Sequence, residues 1–199
     1  HRYRATLSAA PNFAYDLCVH RIDDSELAGL NLSSWRIACN GAEPVVPETI
    51  RKFCQRFSQY GFKVEAYWPV YGLAEASVGL AFPKPGQAPY IQSVVRETFA
   101  SQGKAVDAEP DDTTALEFVA CGQVLPGHQM RIVDDNDREL PDGQEGHLQF
   151  NGPSATSGYF ENPEETAKLF HDEWLDTGDL AYFNAGSVFL TGRTKDIII

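Results

Sequence analysis

The segment 35–75 reads WRIACNGAEPVVPETIRKFCQRFSQYGFKVEAYWPVYGLAE. Its first residues, Trp35 to Cys39, predict a short strand, and Pro47 is typical of the first turn of a helix. The apolar side chains of this predicted helix recur at helical spacing, at Ile50, Phe53, Cys54 and Phe57. Lys63 to Trp68 predicts the next strand. Strand, helix and strand together predict an open α/β sheet, and such sheets bind ligands beyond the carboxyl ends of their strands.

The sequence on either side of this segment predicts two unlike halves. Before it, a helix is predicted from Asn12, which we expect to cap the helix, to about His20. After Phe82, prolines and turns separate short predicted strands, so the second half is expected to be a small β-barrel or sandwich. The strands predicted there are Gln129–Val133, His147–Phe150 and Ser187–Thr191. One helix is expected among them, because Asn162 and Pro163 form a typical helix start.

The composition is that of a globular protein with an excess of acidic residues. Asp and Glu number 28 against 16 Lys and Arg, and the formal net charge is −12. Nucleic-acid partners require clustered positive charge, so we exclude that class of function. No run of 18 apolar residues is present, and no transmembrane segment is expected. The cysteines form no Cys-x-x-Cys pair, which favours buried free thiols in a cytoplasmic protein over a zinc site; they are Cys18, Cys39, Cys54 and Cys121.

Two loops of the first half offer groups that could contact a nucleotide. Glu75 stands in a glycine-containing loop at a predicted strand end, where a carboxylate can hold Mg²⁺ while the metal bridges phosphates. Tyr71, four positions earlier, offers a flat face for stacking on a base. Asn40 to Pro44 follows the first predicted strand with small residues, against which a flat ligand could lie. Taken singly, an ordinary surface loop explains Glu75 better, and a simple turn explains Gly41 better.

Two later segments carry charged groups of the kind that nucleotides need. In Trp174 to Leu180, Asp179 follows a tight turn, and a carboxylate so placed can accept both hydrogen bonds from a ribose diol. A turn of this composition is also common without any ligand. In Thr191 to Asp196, two cations could contact a nucleotide, while composition alone favours a charged linker between domains. Each signal is weak alone, and the order and spacing of the four segments are more specific than any one of them.

In order and spacing these segments resemble the adenylate-forming superfamily. That group includes acyl-CoA synthetases, firefly luciferase and the adenylation domains of nonribosomal peptide synthetases. The matching motifs are Tyr71 to Glu75, Trp174 to Asp179 and Gly192 to Ile197, together with Gly146 to Phe150, Gly158 to Phe160 and Asn162 to Thr166. The resemblance covers the whole chain. It implies part of an open α/β sheet subdomain followed by a small distorted β-barrel subdomain, both from the large N-terminal domain of such an enzyme.

Within the superfamily the chain most resembles the fatty acyl-AMP ligases. Ala5 to Cys18 is similar to the stretch with which those enzymes line their acyl pocket. The residues expected to line it here are Asn12, Phe13 and Asp16. Ala74 also fits this group, because acyl-CoA synthetases usually carry threonine at that position.

The resemblance further implies an insertion and three segments. The stretch between Glu75 and Gly122 is longer than in acyl-CoA synthetases, and fatty acyl-AMP ligases are marked by an insertion at that place. We expect the insertion within residues 89–117. Residues 1–82 would form an α/β subdomain with the acyl and adenine sites, and residues 83–192 would form a barrel subdomain. Residues 193–199 would be a hinge to a C-terminal domain.

The resemblance also implies a role for each matched residue. Glu75 would be catalytic, binding Mg²⁺ at the phosphates of ATP. The nucleotide-binding residues would be Gly41, Ala42, Tyr71, Gly72, Asp179 and Arg193. Gly41 and Ala42 would pack on one face of the adenine, with Tyr71 stacked on the other. Asp179 and Arg193 would reach the ribose, and Lys195 would be the hinge residue.

The implied function is the ATP-dependent conversion of a long-chain fatty acid to its acyl-adenylate, with release of pyrophosphate. The acyl group would pass to the phosphopantetheine arm of an acyl carrier protein, in lipid, polyketide or lipopeptide synthesis. The alternatives are a long-chain acyl-CoA synthetase, an amino-acid adenylation domain, or a non-enzymatic ligand-binding module in which Glu75 and Asp179 lie far apart. The chain runs from His1 to Ile199 without the family's phosphate loop or catalytic lysine. We therefore expect an internal part of a longer protein, inactive by itself.

Overall fold

The amino-terminal half is a parallel α/β sheet, which confirms the predicted fold class. The computed structural model describes residues 3–194. Strands β1 (Leu7–Ala10), β2 (Ile37–Asn40) and β3 (Tyr67–Pro69) pair in that order, all parallel. Helix α1 (Asn12–Arg21) follows β1, and helix α2 (Pro47–Ser58) follows β2. A parallel sheet places the carboxyl ends of all its strands at one edge, where the connecting loops can share a ligand.

An aromatic cluster packs the two helices on this sheet. Phe53 and Phe57 lie on the apolar face of α2 and are buried together with Tyr15 of α1 and Tyr67 of β3. The Phe53 ring centroid lies 5.1 Å from that of Tyr15 and 5.8 Å from that of Tyr67, both edge to face. Ring pairs of this geometry contribute about 0.5–1.5 kcal/mol beyond the area they bury. The cluster therefore holds both helices firmly beneath the strand ends.

Two predicted strands differ from the structure in extent. The strand predicted at Lys63 to Trp68 is Tyr67–Pro69 instead, because Val64–Ala66 form a 3₁₀ turn closed by a hydrogen bond from the Ala66 N–H to the Lys63 carbonyl. The strand predicted at Trp35 to Cys39 starts two residues later. The Trp35 N–H donates to the Leu32 carbonyl in a preceding turn, so Trp35 itself is not in the ladder.

The carboxyl-terminal half is a curled, half-barrel antiparallel sheet, as the second part of the fold prediction stated. Its strands are β4 (Ala81–Phe82), β5 (Ile91–Val94), β6 (Leu116–Val119), β7 (Gln123–Val124), β8 (Gln129–Val133), β9 (Gly146–Asn151), β10 (Phe170–His171), β11 (Trp174–Asn184) and β12 (Ser187–Arg193). The main sheet runs β10-β11-β9-β8, and β12 pairs with β11. Two smaller pairs, β4 with β7 and β5 with β6, complete this half.

One helix start in this half was predicted correctly, whereas the long strand β11 is among several strands that were missed. Asn162 caps the helix at Pro163–Leu169, since its side chain accepts a hydrogen bond from the Glu165 N–H at 3.2 Å. The strand β11 was not predicted, because the turn residues around Gly178 interrupt its alternation of polar and apolar positions. It is the longest strand of the described chain, and it carries Asp179.

The stretch 89–117 is ordered and connects the two halves. It contains β5, the helix α3 (Arg96–Gln102) and the start of β6, and the capped helix at Pro163–Leu169 is therefore α4. Arg51 of α2 forms a two-pronged ion pair with Glu117 of β6, with Nη1 at 2.9 Å from Oε2. The hydrogen bond from Arg51 lowers the pKa of the Glu117 carboxyl. Among residues 3–194, no helix is long and apolar enough to cross a membrane.

Candidate nucleotide site

The first loop at the sheet edge contains a buried polar hub centred on Asn12. The prediction that Asn12 caps α1 is wrong, because Pro11 is the N-cap residue and Asn12 is the first residue of the helix. Its Oδ1 accepts from Asn40 Nδ2 and from the Val46 N–H, each at 3.1 Å, and its Nδ2 donates to Thr49 Oγ1 at 3.3 Å. Asn12 thus ties the end of β2 and the start of α2 to the end of β1.

The second loop places bare backbone at the same edge. A Cβ at Gly41 would lie 2.8 Å from Val70 Cγ2 and 2.9 Å from the Val70 carbonyl oxygen, so only glycine fits between β2 and β3 there. Ala42 follows with φ of 68°, a left-handed conformation that is rare outside glycine, and it is exposed. Such strained positions gather at ligand sites. Of the two residues predicted to pack on adenine, Ala42 is therefore exposed beyond the strand end, whereas Gly41 is buried against Val70.

The third loop is closed at its base and carries Glu75. Tyr71 and Ala81 pair across the base, with the Ala81 N–H donating to the Tyr71 carbonyl at 2.9 Å. Within the loop, Glu75 lies in a single 3₁₀ turn, Ala74–Ala76. Gly72 has no room for a side chain, because an added Cβ would lie 1.6 Å from the carbonyl oxygen of Val78. The tight closure fixes the position of the Glu75 turn relative to the sheet.

Tyr71 joins this loop to Asp179, on the other half of the protein. Its hydroxyl donates to Asp179 Oδ2 at 2.6 Å. Burial, together with the neighbouring Asp179 carboxylate, raises the pKa of Tyr71 well above its ordinary value, so the phenol stays protonated and remains a donor. Two of the sequence-predicted nucleotide residues, 108 positions apart, are thus in direct contact. The Tyr71 hydroxyl is committed to Asp179, while its ring is half-buried beside the Glu75 loop.

A β-bulge directs the Asp179 carboxylate toward Tyr71. Asp176 of β11 pairs with Gln149 of β9 and Leu180 pairs with His147, so residues 177–179 stand opposite Leu148 alone. Gly178 sits in the bulge with φ of 72°, and its N–H donates to Asp176 Oδ1 at 2.8 Å. Bulges commonly redirect a side chain next to a functional site. Here the bulge interrupts the pairing with β9 at Asp179, whose backbone stays paired with Arg193 of β12.

Arg193 completes this cluster from the last described strand. Its Nε lies 3.0 Å from Asp179 Oδ1, so each oxygen of the Asp179 carboxylate has one donor. Arg193 belongs to β12, which contradicts the linker interpretation for that residue. Its guanidinium is largely exposed, whereas Asp179 is buried. The pair therefore presents a positive edge to solvent next to a fixed carboxylate. Lys195, the predicted hinge residue, lies outside the described residues.

The Glu75 carboxylate has a partner that the sequence prediction did not assign. The hydroxyl of Tyr159 donates to Glu75 Oε1 at 2.6 Å. This hydrogen bond, with some burial and the charge of Glu75, raises the pKa of Tyr159 to about 12. Tyr159 lies in the Gly158 to Phe160 motif that was noted without a role. No local signal could have found the contact, because the two residues are 84 positions apart.

The predicted acyl stretch borders an apolar cavity, although the three residues named for it do not line the cavity. The cavity has a volume of about 350 Å³, at the small end of the range for small-molecule sites. Its lining includes Ala10, Ala14, Cys18, Leu27, Trp35 and Phe57. Phe13 is mostly exposed, and its backbone N–H donates to Glu43 Oε1 at 2.5 Å. Asp16 lies 3.4 Å from His20 Nε2 on the outer side of α1.

We expect the replacement Gly178→Ala to weaken, about tenfold, the ATP binding that the resemblance implies. The open space around Gly178 would admit a methyl group, but the left-handed backbone costs a non-glycine residue roughly 1–2 kcal/mol, and relaxation of that strain would turn Asp179. Gly186→Ala is the matched control, because Gly186 has a φ of 75° in the distant β11–β12 turn. Equilibrium titration with ATP should separate the two. Equal affinities of both variants would contradict the role of the bulge.

The chain is similar to known proteins over its whole length. A family model described as AMP-binding enzyme matches residues 1–160. A Caulobacter vibrioides protein whose name refers to an acyl-CoA synthetase is 37% identical over 199 residues, covering 100% of this chain and 35% of the relative. The medium-chain fatty acid–[acyl-carrier-protein] ligase JamA of Moorena producens is 37% identical over 208 residues, with 100% of this chain and 35% of the relative covered. The chain spans about a third of the length of these relatives.

A solved structure supports the same assignment. The fatty acyl-adenylate ligase from L. pneumophila, in complex with acyl adenylate and pyrophosphate, superposes with a TM-score of 0.91 at 36% identity. The match covers 99% of this chain and 36% of that one. The family model covers well over half of the chain, and the structural match covers nearly all of it. The chain belongs to the family of AMP-binding enzymes.

Proposed function

We propose that the protein activates a fatty acid with ATP, forming an acyl-adenylate and releasing pyrophosphate. The observation that carries this proposal is the contact between Tyr71 and Asp179, which brings the Glu75 loop and the barrel carboxylate together at the edge of the sheet. A binding module with coincidental motifs would not require these two loops to meet. The similarity to fatty acid ligases supports the choice of substrate.

The roles of the individual residues follow from their positions. Asp179 would accept hydrogen bonds from the two ribose hydroxyls, because each of its oxygens keeps one lone-pair direction beyond its present donor. Tyr71 would hold that carboxylate in place, and the exposed guanidinium of Arg193 would also face the ribose. Gly41 and Ala42 would contact the adenine through backbone that no larger residue at position 41 could provide.

Glu75 fits the single-carboxylate pattern in which Mg²⁺ is held together with substrate phosphates. Among residues 3–194, no three metal-ligating side chains form a preformed cage. Magnesium is commonly bound by one or two carboxylates and by the phosphates of its nucleotide, so one carboxylate suffices. When bound, the metal would supply positive charge at the phosphates. Glu75 would be the residue of this chain that holds it.

The chemistry requires no nucleophilic side chain. The substrate carboxylate oxygen attacks the α-phosphorus, a phosphorus–oxygen bond forms, and the bond to the β-phosphate oxygen breaks as pyrophosphate leaves. Catalysis then depends on the alignment of two anions and on neutralising charge at phosphorus. The residues of this chain would contribute the alignment of the nucleotide, through its base, its ribose and its phosphates.

We place the acyl chain in the apolar cavity beneath β1, and the acyl acceptor on a carrier protein. The apolar side chains of α1, α2 and the intervening loop give that cavity the character a fatty acyl chain needs. The ordered stretch 89–117, tied to α2 by Arg51 and Glu117, supports the fatty acyl-AMP ligase type. The four free cysteines support a reducing compartment, and we propose the cytoplasm.

A product assay on the complete enzyme that contains this chain tests the proposal. The enzyme would be supplied with ATP, Mg²⁺ and fatty acids of several chain lengths, and with either an acyl carrier protein or CoA. We expect acyl-AMP and pyrophosphate in both cases, and transfer to the carrier in preference to CoA. Efficient acyl-CoA formation would favour the alternative function, a long-chain acyl-CoA synthetase, which the similarity to the Caulobacter protein supports. Absence of pyrophosphate release with every acid would overturn the proposed activity.

A further inference from the structure

A loop of the barrel half is bound along the Glu75 turn by three hydrogen bonds. The Thr156 N–H donates to the Glu75 carbonyl at 2.8 Å, and Ser154 Oγ donates to the Ala76 carbonyl at 3.0 Å. In the opposite direction, Ser77 Oγ donates to the Ser154 carbonyl at 3.2 Å. The backbone that carries Glu75 is therefore fixed on both sides of the residue. These three hydrogen bonds do not fix the orientation of the Glu75 side chain.

The same loop also reaches the side chain of Glu75. Tyr159 Oη donates to Glu75 Oε1 at 2.6 Å. The structure gives Glu75 Oε2 no hydrogen bond and no ion pair with any residue from 3 to 194. One carboxylate oxygen is thus engaged and the other is left available.

The position of Tyr159 is itself determined by the start of α4. Its N–H donates to Thr166 Oγ1 at 2.8 Å, and Thr166 Oγ1 donates in turn to the Asn162 carbonyl at 2.8 Å. Gly158 precedes it with φ of 139°, and an added Cβ there would lie 2.6 Å from Thr166 Cγ2. The glycine lets the chain pass close to Thr166, and the following tyrosine is directed back toward Glu75.

We propose that Tyr159 is a positioning residue for the Glu75 carboxylate, holding Oε1 so that Oε2 is presented to a divalent cation at the ATP phosphates. The inference rests on the proposed function for its choice of cation. A free glutamate side chain loses several rotatable angles when it binds a metal, and a hydrogen bond made beforehand lowers that entropic cost. Hydrogen bonds to ligating carboxylates typically change metal affinity by about 10–100-fold.

The decisive variant is Tyr159→Phe in the complete enzyme, which removes the hydroxyl and keeps the ring. We expect the Mg²⁺ concentration for half-maximal activity at fixed ATP to rise about tenfold, with kcat at saturating Mg²⁺ nearly unchanged. Binding of Mn²⁺ with ATP, measured by the paramagnetic resonance signal of free Mn²⁺, should weaken by the same factor. Tyr90→Phe is the matched control, because Tyr90 is a half-exposed tyrosine of the same half whose ring packs on Phe189.

A double-mutant cycle excludes a merely structural role. In a Glu75→Gln background, Tyr159→Phe should have no further effect on Mn²⁺ binding, because the carboxylate it positions is gone. Unchanged Mn²⁺ affinity in Tyr159→Phe, or a loss of kcat at saturating metal without a change in affinity, would overturn the positioning role and leave the proposed activity intact. Failure of the wild-type enzyme to bind Mn²⁺ with ATP would overturn both.

Discussion

Replacing Asp179 by asparagine is expected to lower the affinity for ATP about 100-fold. The carboxylate now accepts from Tyr71 on one oxygen and from Arg193 on the other. An asparagine amide has only one acceptor atom, so one of these donors would face an NH₂ group, and a ribose hydroxyl would lose its charged partner. Hydrogen bonds to charged groups contribute about 1.5–3 kcal/mol each, which corresponds to roughly 10–100-fold per bond.

Calorimetric titration of the enzyme with a non-hydrolysable ATP analogue measures this effect. Asp142→Asn provides the control, since Asp142 is an exposed carboxylate in a turn of the same half and the change of net charge is identical. We expect that control to bind the analogue as the wild type does. An affinity of Asp179→Asn within threefold of the wild type would show that the nucleotide does not use this carboxylate.

The substitution Gly72→Ala is expected to be strongly destabilising. The added Cβ would have to occupy a point 1.6 Å from the Val78 carbonyl oxygen and 2.7 Å from its carbonyl carbon. Backbone atoms cannot move aside as a flexible side chain can, so the loop between Tyr71 and Ala81 would have to open. We expect a loss of about 4 kcal/mol, in the range reserved for severe core disruption.

Thermal unfolding checks this expectation, with a fall in Tm of roughly 10 °C for a domain of this size. Gly192→Ala is the comparison variant, because an added Cβ there meets nothing within 4 Å and its backbone is not left-handed. Its Tm should stay close to that of the wild type. A Gly72→Ala variant with an unchanged Tm would mean that the loop closes differently in solution.

The fold was predictable from the sequence where the local pattern and the tertiary structure agree. The helix at Pro47 has both a proline start and a regular apolar face, and three of the residues that the spacing named, Ile50, Phe53 and Phe57, are buried. Asn162 was recognised as a cap because its partner, the Glu165 N–H, lies three residues away. Signals of this kind are complete within one turn of helix and need no knowledge of the rest of the chain.

Other features of the fold could not be predicted, because they depend on contacts between residues that are far apart in the sequence. Asn12 looked like a helix cap, but its side chain bonds to Asn40, Val46 and Thr49 instead. Val78 gave no sign of its left-handed backbone, φ of 85°, which a β-branched residue adopts only when the surrounding structure enforces it. The placement of these residues is a property of the assembled sheets.

The same contrast holds for the site residues: motifs identified some of them, but not the contacts between them. Glu75 and Asp179 were proposed from motif order, and the contact between Tyr71 and Asp179 now joins the two loops that carry them. The bulge at Asp179 was not predicted. Gly178 and its neighbours suggested a turn at the end of a strand, whereas they interrupt the pairing in the middle of β11. The role of Tyr159 also depends on a pairing that no short window of sequence contains.

The hydrogen bond from Tyr71 to Asp179 also links ligand concentration to the resistance of the enzyme to proteolysis. Because the bond joins one loop of each half, the proposed nucleotide site forms only when both sheets are complete. A ligand that binds only this assembled form stabilises it by about 2.7 kcal/mol at a concentration 100 times its Kd. The enzyme with bound ATP would therefore resist proteolysis better than the free enzyme.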